Sequence, residues 1–466
     1  MACQAWYSFP RRGSLYALFH HIANMTNRLV SIQKISDIIK SRRQIHPRGK
    51  EFSYENPKMK TLIRNGNIFN AKSLEFSGDG TLAMENGVIG QIGTGSKGDF
   101  DFEIDAKGAF VLPGFIDAHY HFRLTTMNFR KLARWSEIEF GIAMARMAGE
   151  TLQRGFTTVR DLGGDVSGLK RAINNKMLRG PRIIAAGRFI SQTGGHGDVD
   201  GGERAVPQCA CQMLHSTFGI VADGADAVRK AARHNLREGS DFLKIHVSGG
   251  VATPTDPLES VQYTPEEIRA AVQEAQHRQT YVAAHAYSPE SILMAIENGV
   301  HSIEHGNLLN AEVAEEMARR GTTLVPTLAT YEAMQELGVE LGLPKVNRDK
   351  NSVVYEAGLA SLELAKQAGV TLGWGTDLVG EAHVRQNREF AIRAEVESGK
   401  DILKSMYQVN SDLCHLSGQI GVLAEGAAAD IVIVRENPLD NIRSLADPQT
   451  SLMHVFKAGV PVTLPS

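Results

Sequence analysis

The chain has few cysteines, almost no net charge and no long apolar run. Its four cysteines are too few and too scattered for a disulfide framework; they are Cys3, Cys209, Cys211 and Cys414. Cys209 and Cys211 could bind a metal as a pair, but no second cysteine pair completes such a site. A formal net charge of -2 gives no strong attraction to nucleic acid or membranes. No apolar run reaches the roughly 18–20 residues of a membrane span, so we predict a cytoplasmic protein whose partner is a small molecule.

Acidic residues are scarce at the start of the chain. The first 58 residues contain six arginines but only Asp37, Glu51 and Glu55 as acids. A basic, acid-poor leader is typical of a targeting segment. The alternative is upstream sequence translated ahead of a start at Met59, which begins a domain-like pattern. We favour the alternative and assign residues 1–58 as an extension outside the folded domains.

Short β segments flank a longer central region that has a different sequence pattern. Residues 59–112 are rich in strands and turns, and the pairs Asn65-Gly66 and Asn86-Gly87 predict tight hairpins. Residues 420–466 repeat this pattern in "ADIVIVRENPL" and "SLMHVFKAGVPV". We predict that the two segments pair into one small β-sandwich domain.

Strands and helices alternate in the middle of the chain. Thr264, Pro265 and Glu267 form a capping box and helix start in "YTPEEIRAAVQEAQHRQ". One strand precedes His119, and the other candidate strands are 156–160, 182–187, 242–247, 281–285, 301–304, 322–328 and 370–375. Eight strand–helix units over about 300 residues are typical of a (β/α)8 barrel. We therefore predict an α/β fold, with the barrel over residues 113–419.

The run "VLPGFIDAHYHFR" ends a hydrophobic strand with two histidines one residue apart. His119 and His121 point to the same side because strand side chains alternate between faces. Two imidazoles on one side suit a metal, although two hydrogen-bonded histidines in a turn are the favoured explanation of so short a motif when it stands alone. Other polar residues end further strands of the predicted barrel: Lys244, His285, His305 and Asp377.

Each of these residues has a simpler explanation when it is taken alone. Lys244 could extend to solvent, although its apolar neighbours make an unpaired ammonium there costly. His285 or His305 could be a hydrogen-bonded histidine of the barrel, and Asp377 could be a helix N-cap. Their combination at separate strand ends, where barrels carry their chemistry, is what indicates a site.

These motifs resemble those of the amidohydrolase superfamily of binuclear-metal barrels. The similarity runs from about Met59 to Pro461, and its motifs are "PGFIDAHYHF", the lysine of "FLKIHVSGG", "AHAY", "IEHG", "GTD" and "GVLAEGAAADIVIVRENPL". The resemblance implies two metal ions, with His119, His121 and Asp377 on one, His285 and His305 on the other, and a carbamylated Lys244 between them. Nitrogen and carboxylate ligands of this kind suit Zn²⁺.

Two further motifs resemble those of the branch that contains prolidase-like dipeptidases, carboxypeptidases and ochratoxin-hydrolysing amidases. His196 lies in a Gly-Gly-His-Gly run, and Tyr287 lies two residues after His285. In that branch the matching histidine and tyrosine help to bind substrate beside the scissile group. His196 could instead cap the backbone of a glycine-rich loop. Asp161, in "VRDLGG", could orient a ligand or be purely structural.

The resemblance implies amide or peptide hydrolysis by a hydroxide that two metals activate. Asp377 is predicted to move the proton to the leaving amine, while His196 and Tyr287 polarise the scissile carbonyl. The implied substrates are small and carry a free carboxylate, such as Xaa-Pro dipeptides, N-acyl amino acids or ochratoxin-type amides. Candidate anchors for that carboxylate are Arg188, Arg385 and Arg388.

Two other functions remain open at this point. A cyclic-amide hydrolase or deaminase of the imidazolonepropionase-like type would share the general barrel, although Lys244 argues against single-metal deaminases. A scaffold that has lost its metals should lack several ligands, and this chain lacks none of them. A serine hydrolase has no support because the chain contains no G-x-S-x-G motif. The resemblance also implies a homo-oligomer.

Overall fold

The structure is a computed structural model that describes residues 59–93, 98–128, 132, 134–198 and 218–464. The predicted extension 1–58 and the Cys209–Cys211 pair lie outside these residues, so the assignments made for them stay predictions. Within the described part of the chain, no helix is both long and apolar enough to cross a membrane.

Strands are concentrated at both ends of the described chain and recur at intervals between them. They are β1 (Lys60–Asn70), β2 (Glu75–Glu85), β3 (Val88–Gly93), β4 (Phe102–Asp105), β5 (Phe110–Pro113), β6 (Phe115–Tyr120), β7 (Phe156–Asp161), β8 (Arg182–Ala185), β9 (Phe189–Ser191), β10 (Gly219–Val221), β11 (Leu243–His246), β12 (Val282–Ala286), β13 (Ser302–His305), β14 (Thr323–Val325), β15 (Thr371–Leu372), β16 (Ile431–Val434), β17 (Leu452–Lys457) and β18 (Val460–Pro461).

Helices fill most of the intervals between the central strands. They are α1 (Glu137–Gln153), α2 (Ser167–Asn174), α3 (Ala225–Arg237), α4 (Pro265–His277), α5 (Pro289–Glu297), α6 (Ala311–Arg320), α7 (Leu328–Leu337), α8 (Lys345–Gln367), α9 (Arg388–Arg393), α10 (Gly399–Lys404), α11 (Asn410–Leu413) and α12 (Pro448–Ser451). Short 3-10 turns cover Gly380–Arg385 and Ile442–Ala446, and a π turn covers Ser405–Val409. The capping box predicted for Thr264 and Glu267 is present at the start of α4.

Both ends of the described chain contribute to one mixed sheet. Its strand order is β18-β17-β16-β5-β1-β2-β3, and β4 pairs with β1. The two ends meet where β5 runs antiparallel to β16, with Pro113 opposite Ile431. The predicted pairing of the two terminal segments is confirmed, whereas their arrangement as a β-sandwich and the domain boundaries stay predictions.

The two Asn-Gly pairs of this sheet have different roles. Asn86 and Gly87 connect β2 to β3 with φ values of 54° and 84°, which confirms the predicted hairpin. The hairpin predicted at Asn65 and Gly66 is wrong, because this pair lies inside β1 at an irregularity in its pairing with β2. A Cβ at Gly66 would come within 2.7 Å of Val111. The glycine therefore allows close approach of β5 and does not reverse the chain.

The central strands form two parallel sheets that alternate with helices. One has the order β10-β9-β11-β12-β13-β14-β15, and the other is β6-β7-β8. Each predicted central strand has an observed counterpart, and the α/β class is confirmed. Sequence analysis missed β9 and β10, because three-residue strands are too short to show a periodic pattern.

The largest apolar cluster lies between the seven-stranded sheet and its helices. Ile245, Val282 and Ile303 from the strands pack with Val228 and Ile292 from the helices, and all are buried. This packing holds neighbouring strands in register. Since parallel strands end at the same edge of a sheet, polar residues at their carboxyl ends come together.

Candidate metal centre

Strand register brings the predicted ligands together from distant parts of the chain. His246 at the end of β11 lies opposite His285 of β12, and the next register position pairs β12 with His305 of β13. His119 belongs to β6, and its carbonyl accepts a 2.8 Å hydrogen bond from the amide of Asp377. The ends of strands from both parallel sheets therefore contribute to one cluster.

Asp377 is the common neighbour of three imidazoles. Its Oδ1 lies 3.3 Å from His119 Nε2 and 3.1 Å from His121 Nε2. Its Oδ2 lies 3.8 Å from His305 Nδ1. Ligand atoms of His119, His305 and Asp377 all lie within 4.8 Å of one another. Buried imidazole nitrogens and a carboxylate at this spacing fit a divalent cation such as Zn²⁺.

His285 extends the cluster beyond this group. Its ring centroid lies 4.6 Å from that of His305. Its Nε2 lies 2.9 Å from the carbonyl oxygen of Gly249, and a carbonyl only accepts, so Nε2 carries the proton and Nδ1 is left as a ligand atom. Burial, assisted by the imidazoles of His196 and His305, lowers the pKa of His285 well below its usual value. The neutral ring that results is the metal-binding form.

Lys244 is buried in β11, the strand that pairs with the strand of His285. It is only 2% exposed, on β11. Burial lowers the pKa of Lys244 to about 8, although Glu304 and Asp377 attract the ammonium and oppose this shift. An isolated buried ammonium is costly, so this position suits a lysine that is either a neutral amine or a negatively charged carbamate.

A buried glutamate orients His119, and sequence analysis missed it. Glu304 Oε2 lies 2.8 Å from His119 Nδ1, and Arg160 donates to Oε1 at 2.6 Å. Ser302 donates to the same Oε1 at 2.7 Å. Burial alone would raise the pKa of Glu304, but Arg160 and His119 hold it well below its usual range. The carboxylate thus fixes the proton on Nδ1 and leaves His119 Nε2 for a metal.

Two buried aspartates hold the backbone around the ligands. Asp117 Oδ1 accepts from the amides of His119, at 3.0 Å, and Thr376, at 3.1 Å. Asp161 accepts from the amide of Phe122 at 2.8 Å, and burial raises the pKa of Asp161 to about 6. Of the two roles considered for Asp161, the structure supports the one that holds backbone.

His246 is a second residue that sequence analysis missed. It lies two positions after Lys244 on β11 and is 7% exposed. Its ring centroid lies 5.4 Å from that of His285 and 5.3 Å from that of His196. Within the described residues its Nδ1 has no hydrogen-bond partner. The i, i+2 spacing from Lys244 was the signal that could have identified it.

Both residues predicted to contact substrate lie against the ligand rings. The ring of His196 stacks on that of His285, with centroids 4.3 Å apart and planes 17° apart. The ring of Tyr287 lies 4.8 Å from His285 and 5.4 Å from His305. The Tyr287 hydroxyl lies 2.8 Å from the hydroxyl of Tyr331 on α7. The structure therefore brings both side chains to the cluster of candidate ligands.

Arg385 and Arg388, which were considered as carboxylate anchors, each form an ion pair with an acid of α7. Arg385 forms an ion pair with Glu336. Arg388 binds Glu332 through two hydrogen bonds, of 3.0 and 2.8 Å. Since both acids belong to α7, these pairs connect that helix to the segment after β15, and they do not support either arginine as a substrate anchor.

Comparison with known proteins assigns the chain to a family. The model of the amidohydrolase family matches residues 110–462, so the chain belongs to this family. It is accordingly a hydrolase that acts on carbon–nitrogen bonds, and binuclear metal sites are typical of the family. The resemblance predicted from the sequence motifs is confirmed.

Individual relatives cover most of the chain. Ochratoxinase from Aspergillus niger is 31% identical over 371 residues, which are 75% of this chain and 75% of ochratoxinase. The crystal structure of an amidohydrolase is 38% identical, has a TM-score of 0.83, and covers 87% of this chain and 99% of its own. A prolidase complexed with N-methylphosphonate-L-proline is 37% identical, has a TM-score of 0.83, and covers 87% of this chain and 100% of its own.

Proposed function

We propose that the protein is a metal-dependent hydrolase of amide or peptide bonds in small substrates that carry a free carboxylate. Xaa-Pro dipeptides, N-acyl amino acids and ochratoxin-type amides are the candidate substrates. The observation that carries this proposal is the group formed by His119, His305 and Asp377, whose ligand atoms lie within 4.8 Å of one another. The names of the relatives, an ochratoxinase and a prolidase, support the substrate class.

The proposed centre holds two divalent cations, preferably Zn²⁺. The ligands are His119, His121 and Asp377 for one cation, His285 and His305 for the other, and a carbamylated Lys244 between them. When bound, the two cations supply a water of lowered pKa as the nucleophile and a Lewis acid for the carbonyl. A pKa of about 8 for Lys244 supports the carbamate, because only a neutral amine reacts with CO2.

Asp377 is the proposed proton carrier. Burial alone would raise the pKa of Asp377, but His119 and His121 hold it well below its usual range, so the carboxylate stays ionised. It can accept the proton of the attacking water and donate it to the leaving amine. His196 and Tyr287, which lie against the ligand rings, are proposed to hydrogen-bond the carbonyl oxygen as negative charge develops there.

We also propose that the two parallel sheets close into one (β/α)8 barrel. Two backbone hydrogen bonds that link the two sheets support closure. The amide of Ala118 in β6 donates to the carbonyl of Trp374 at 2.9 Å, and the amide of Asp241 donates to that of Ala185 in β8 at 2.8 Å. A closed barrel would place every proposed ligand at one mouth.

The decisive experiment compares an N-acyl-proline or Xaa-Pro dipeptide with its C-terminal amide, using protein loaded with zinc and bicarbonate. We expect the acid to be hydrolysed much faster, because a charged contact to its carboxylate contributes to transition-state binding. Equal rates on acid and amide would reject the carboxylate requirement and favour the cyclic-amide alternative. Metal analysis separates the classes further, since two zinc ions per chain support the proposal and one supports a deaminase-like enzyme.

Tyr287→Phe tests the hydroxyl directly. Loss of a hydrogen bond to a charged oxygen should lower kcat/KM about 30- to 1000-fold while the zinc content stays the same. Tyr331→Phe is the matched control, because it removes the same 2.8 Å hydroxyl pair but keeps the Tyr287 hydroxyl. If both variants lost the same activity, the hydroxyl pair rather than Tyr287 itself would be responsible.

A further inference from the structure

His196 has a carboxylate partner outside the metal cluster. Asp256, in the loop between β11 and α4, places Oδ2 3.1 Å from His196 Nδ1. The Asp256 side chain is 1% exposed and that of His196 is 12% exposed. Because a carboxylate accepts, the facing Nδ1 carries a proton and Nε2 is the ring nitrogen left to meet a substrate.

Asp256 is itself held from helix α8. Lys350 Nζ lies 3.3 Å from Asp256 Oδ1 and also donates to the backbone carbonyl of Asp256. The same ammonium donates to the carbonyls of Gly250, at 3.0 Å, and Thr253, at 2.8 Å. One lysine therefore fastens both ends of the loop segment that carries the carboxylate.

The same loop encloses the backbone and ring of His196. The hydroxyl of Thr253 donates to the His196 carbonyl at 2.6 Å, and the His196 amide donates to Gln262 Oε1 at 2.9 Å. A Cβ at Gly250 would come within 2.2 Å of the His196 ring, so only glycine allows the ring to lie against this backbone. His285 stacks on one face of the ring. The motion that remains is a flip of the imidazole about its Cβ–Cγ bond, and the hydrogen bond to Asp256 opposes that flip.

We propose that Asp256 is a positioning residue for catalysis: it fixes His196 with Nδ1 toward itself and Nε2 toward the substrate, and Lys350 fixes Asp256. This inference rests on the substrate-contacting role of His196 in the proposed function. Asp256 touches no substrate in this scheme and acts only through the imidazole.

Asp256→Asn in the zinc-loaded enzyme is the principal test. The carboxylate faces donors on both sides, because Lys350 Nζ lies 3.3 Å from Oδ1 and the Gly250 amide donates to Oδ2 at 3.0 Å beside His196. The single oxygen of an asparagine therefore leaves one of these sides facing its NH2 group. We expect kcat to fall roughly 10- to 100-fold because the side chain at 256 is no longer fixed on both sides, with KM within about twofold and unchanged zinc content. Asp349→Asn is the matched control, since Asp349 is 61% exposed on the same helix as Lys350, and it should leave kcat unchanged.

The proton on His196 is measured by NMR on ¹⁵N-histidine-labelled, zinc-loaded protein, with His196→Gln to identify the signals. We expect an Nδ1–H signature in the wild type and its loss in Asp256→Ala, which cannot accept a hydrogen bond. Asp256→Val, which also offers no acceptor, must give the same loss, so the test does not depend on one variant folding. An unchanged signature in both variants would overturn the proposal.

A double-variant comparison separates this inference from the proposed function. In a His196→Ala background, Asp256→Asn should cost less than about twofold in kcat, because the residue through which Asp256 acts is gone. An equal loss in both backgrounds would overturn the positioning role alone. A fully active His196→Ala enzyme would reject the role of His196 itself, and the inference would fall with it.

Discussion

Glu304→Gln removes one charge from a fully buried network without changing its shape. In the native protein the carboxylate accepts three hydrogen bonds, from His119, Arg160 and Ser302. A glutamine offers one oxygen and one NH2 group, so at least one of these donors must face another donor. Arg160 and Glu304 are both 0% exposed, so no water can replace the lost acceptor.

The expected cost follows from this geometry. Removing one partner of a buried ion pair typically destabilises a protein by about 3–5 kcal/mol, because the other charge is left buried without compensation. The variant should also weaken metal binding roughly 10- to 100-fold, since the group that fixes His119 Nδ1 as a donor is disturbed. Ser302→Ala is the matched control. It removes a neutral donor to the same oxygen and should cost only about 1 kcal/mol.

The assay is urea unfolding of both variants after metal removal, followed by competitive zinc titration against a chromogenic chelator. Measuring unfolding without metal keeps the two effects apart, because bound metal stabilises the folded state on its own. The reasoning is refuted if Glu304→Gln unfolds within about 0.5 kcal/mol of the wild type and also binds zinc with unchanged affinity.

Three further predictions concern the proposed metal ligands and the ion pairs of Asp430. His119→Ala and His285→Ala should each lose hydrolysis and bound zinc, as measured by metal analysis, and a fully active variant with unchanged zinc would contradict the binuclear centre. Lys244→Ala should be inactive and partly rescued by short carboxylic acids, whereas a density map with a bare ammonium beside two metals would count against the carbamate. Asp430 is 5% exposed and forms ion pairs with Lys457 and with Arg182 of β8, each at 2.8 Å, and these cations lower its pKa to about 2 in spite of burial. Its unfolded value is about 3.9, so it contributes about 2–3 kcal/mol above pH 4 that is lost as the pH falls toward 2. Asp430→Asn should remove this part of the pH dependence of the free energy of unfolding. If that free energy fell with decreasing pH as in the wild type, the ion pairs of Asp430 would not be the cause.

The proposed ligands could be picked out from the sequence because most of them lie in or just after strands with a clear apolar pattern. His285 and His305 follow such runs, and parallel strands place their carboxyl ends at one edge. The same reasoning failed at Asn65-Gly66, where a turn motif lies inside β1 because β5 packs closely on Gly66. Local turn chemistry cannot reveal such a tertiary contact.

The residues that support the ligands were harder to find for a different reason. Arg160 and Glu304 lie far apart in the sequence, and each appears there only as a charge in an apolar strand. Such a charge implies a buried partner without identifying it. Asp256 gives even less signal, because its loop has no periodic pattern, and its role depends on Lys350 from a helix about 90 residues later.

Backbone conformation around the cluster shows why these contacts matter. His305, Thr327 and Asp377 all have positive φ, at 77°, 51° and 53°, a conformation that costs a residue with a Cβ roughly 1–2 kcal/mol. Such strain persists only where surrounding contacts fix it. The amide of Asp377 is held by the carbonyl of His119 at 2.8 Å, and the hydroxyl of Thr327 lies 2.8 Å from His305 Nδ1. Contacts from neighbouring segments therefore hold His305 and Asp377 in the conformations that bring their side chains into the cluster. Residue identity indicates which groups can bind a metal, but their common direction comes from contacts between strands that are distant in the chain.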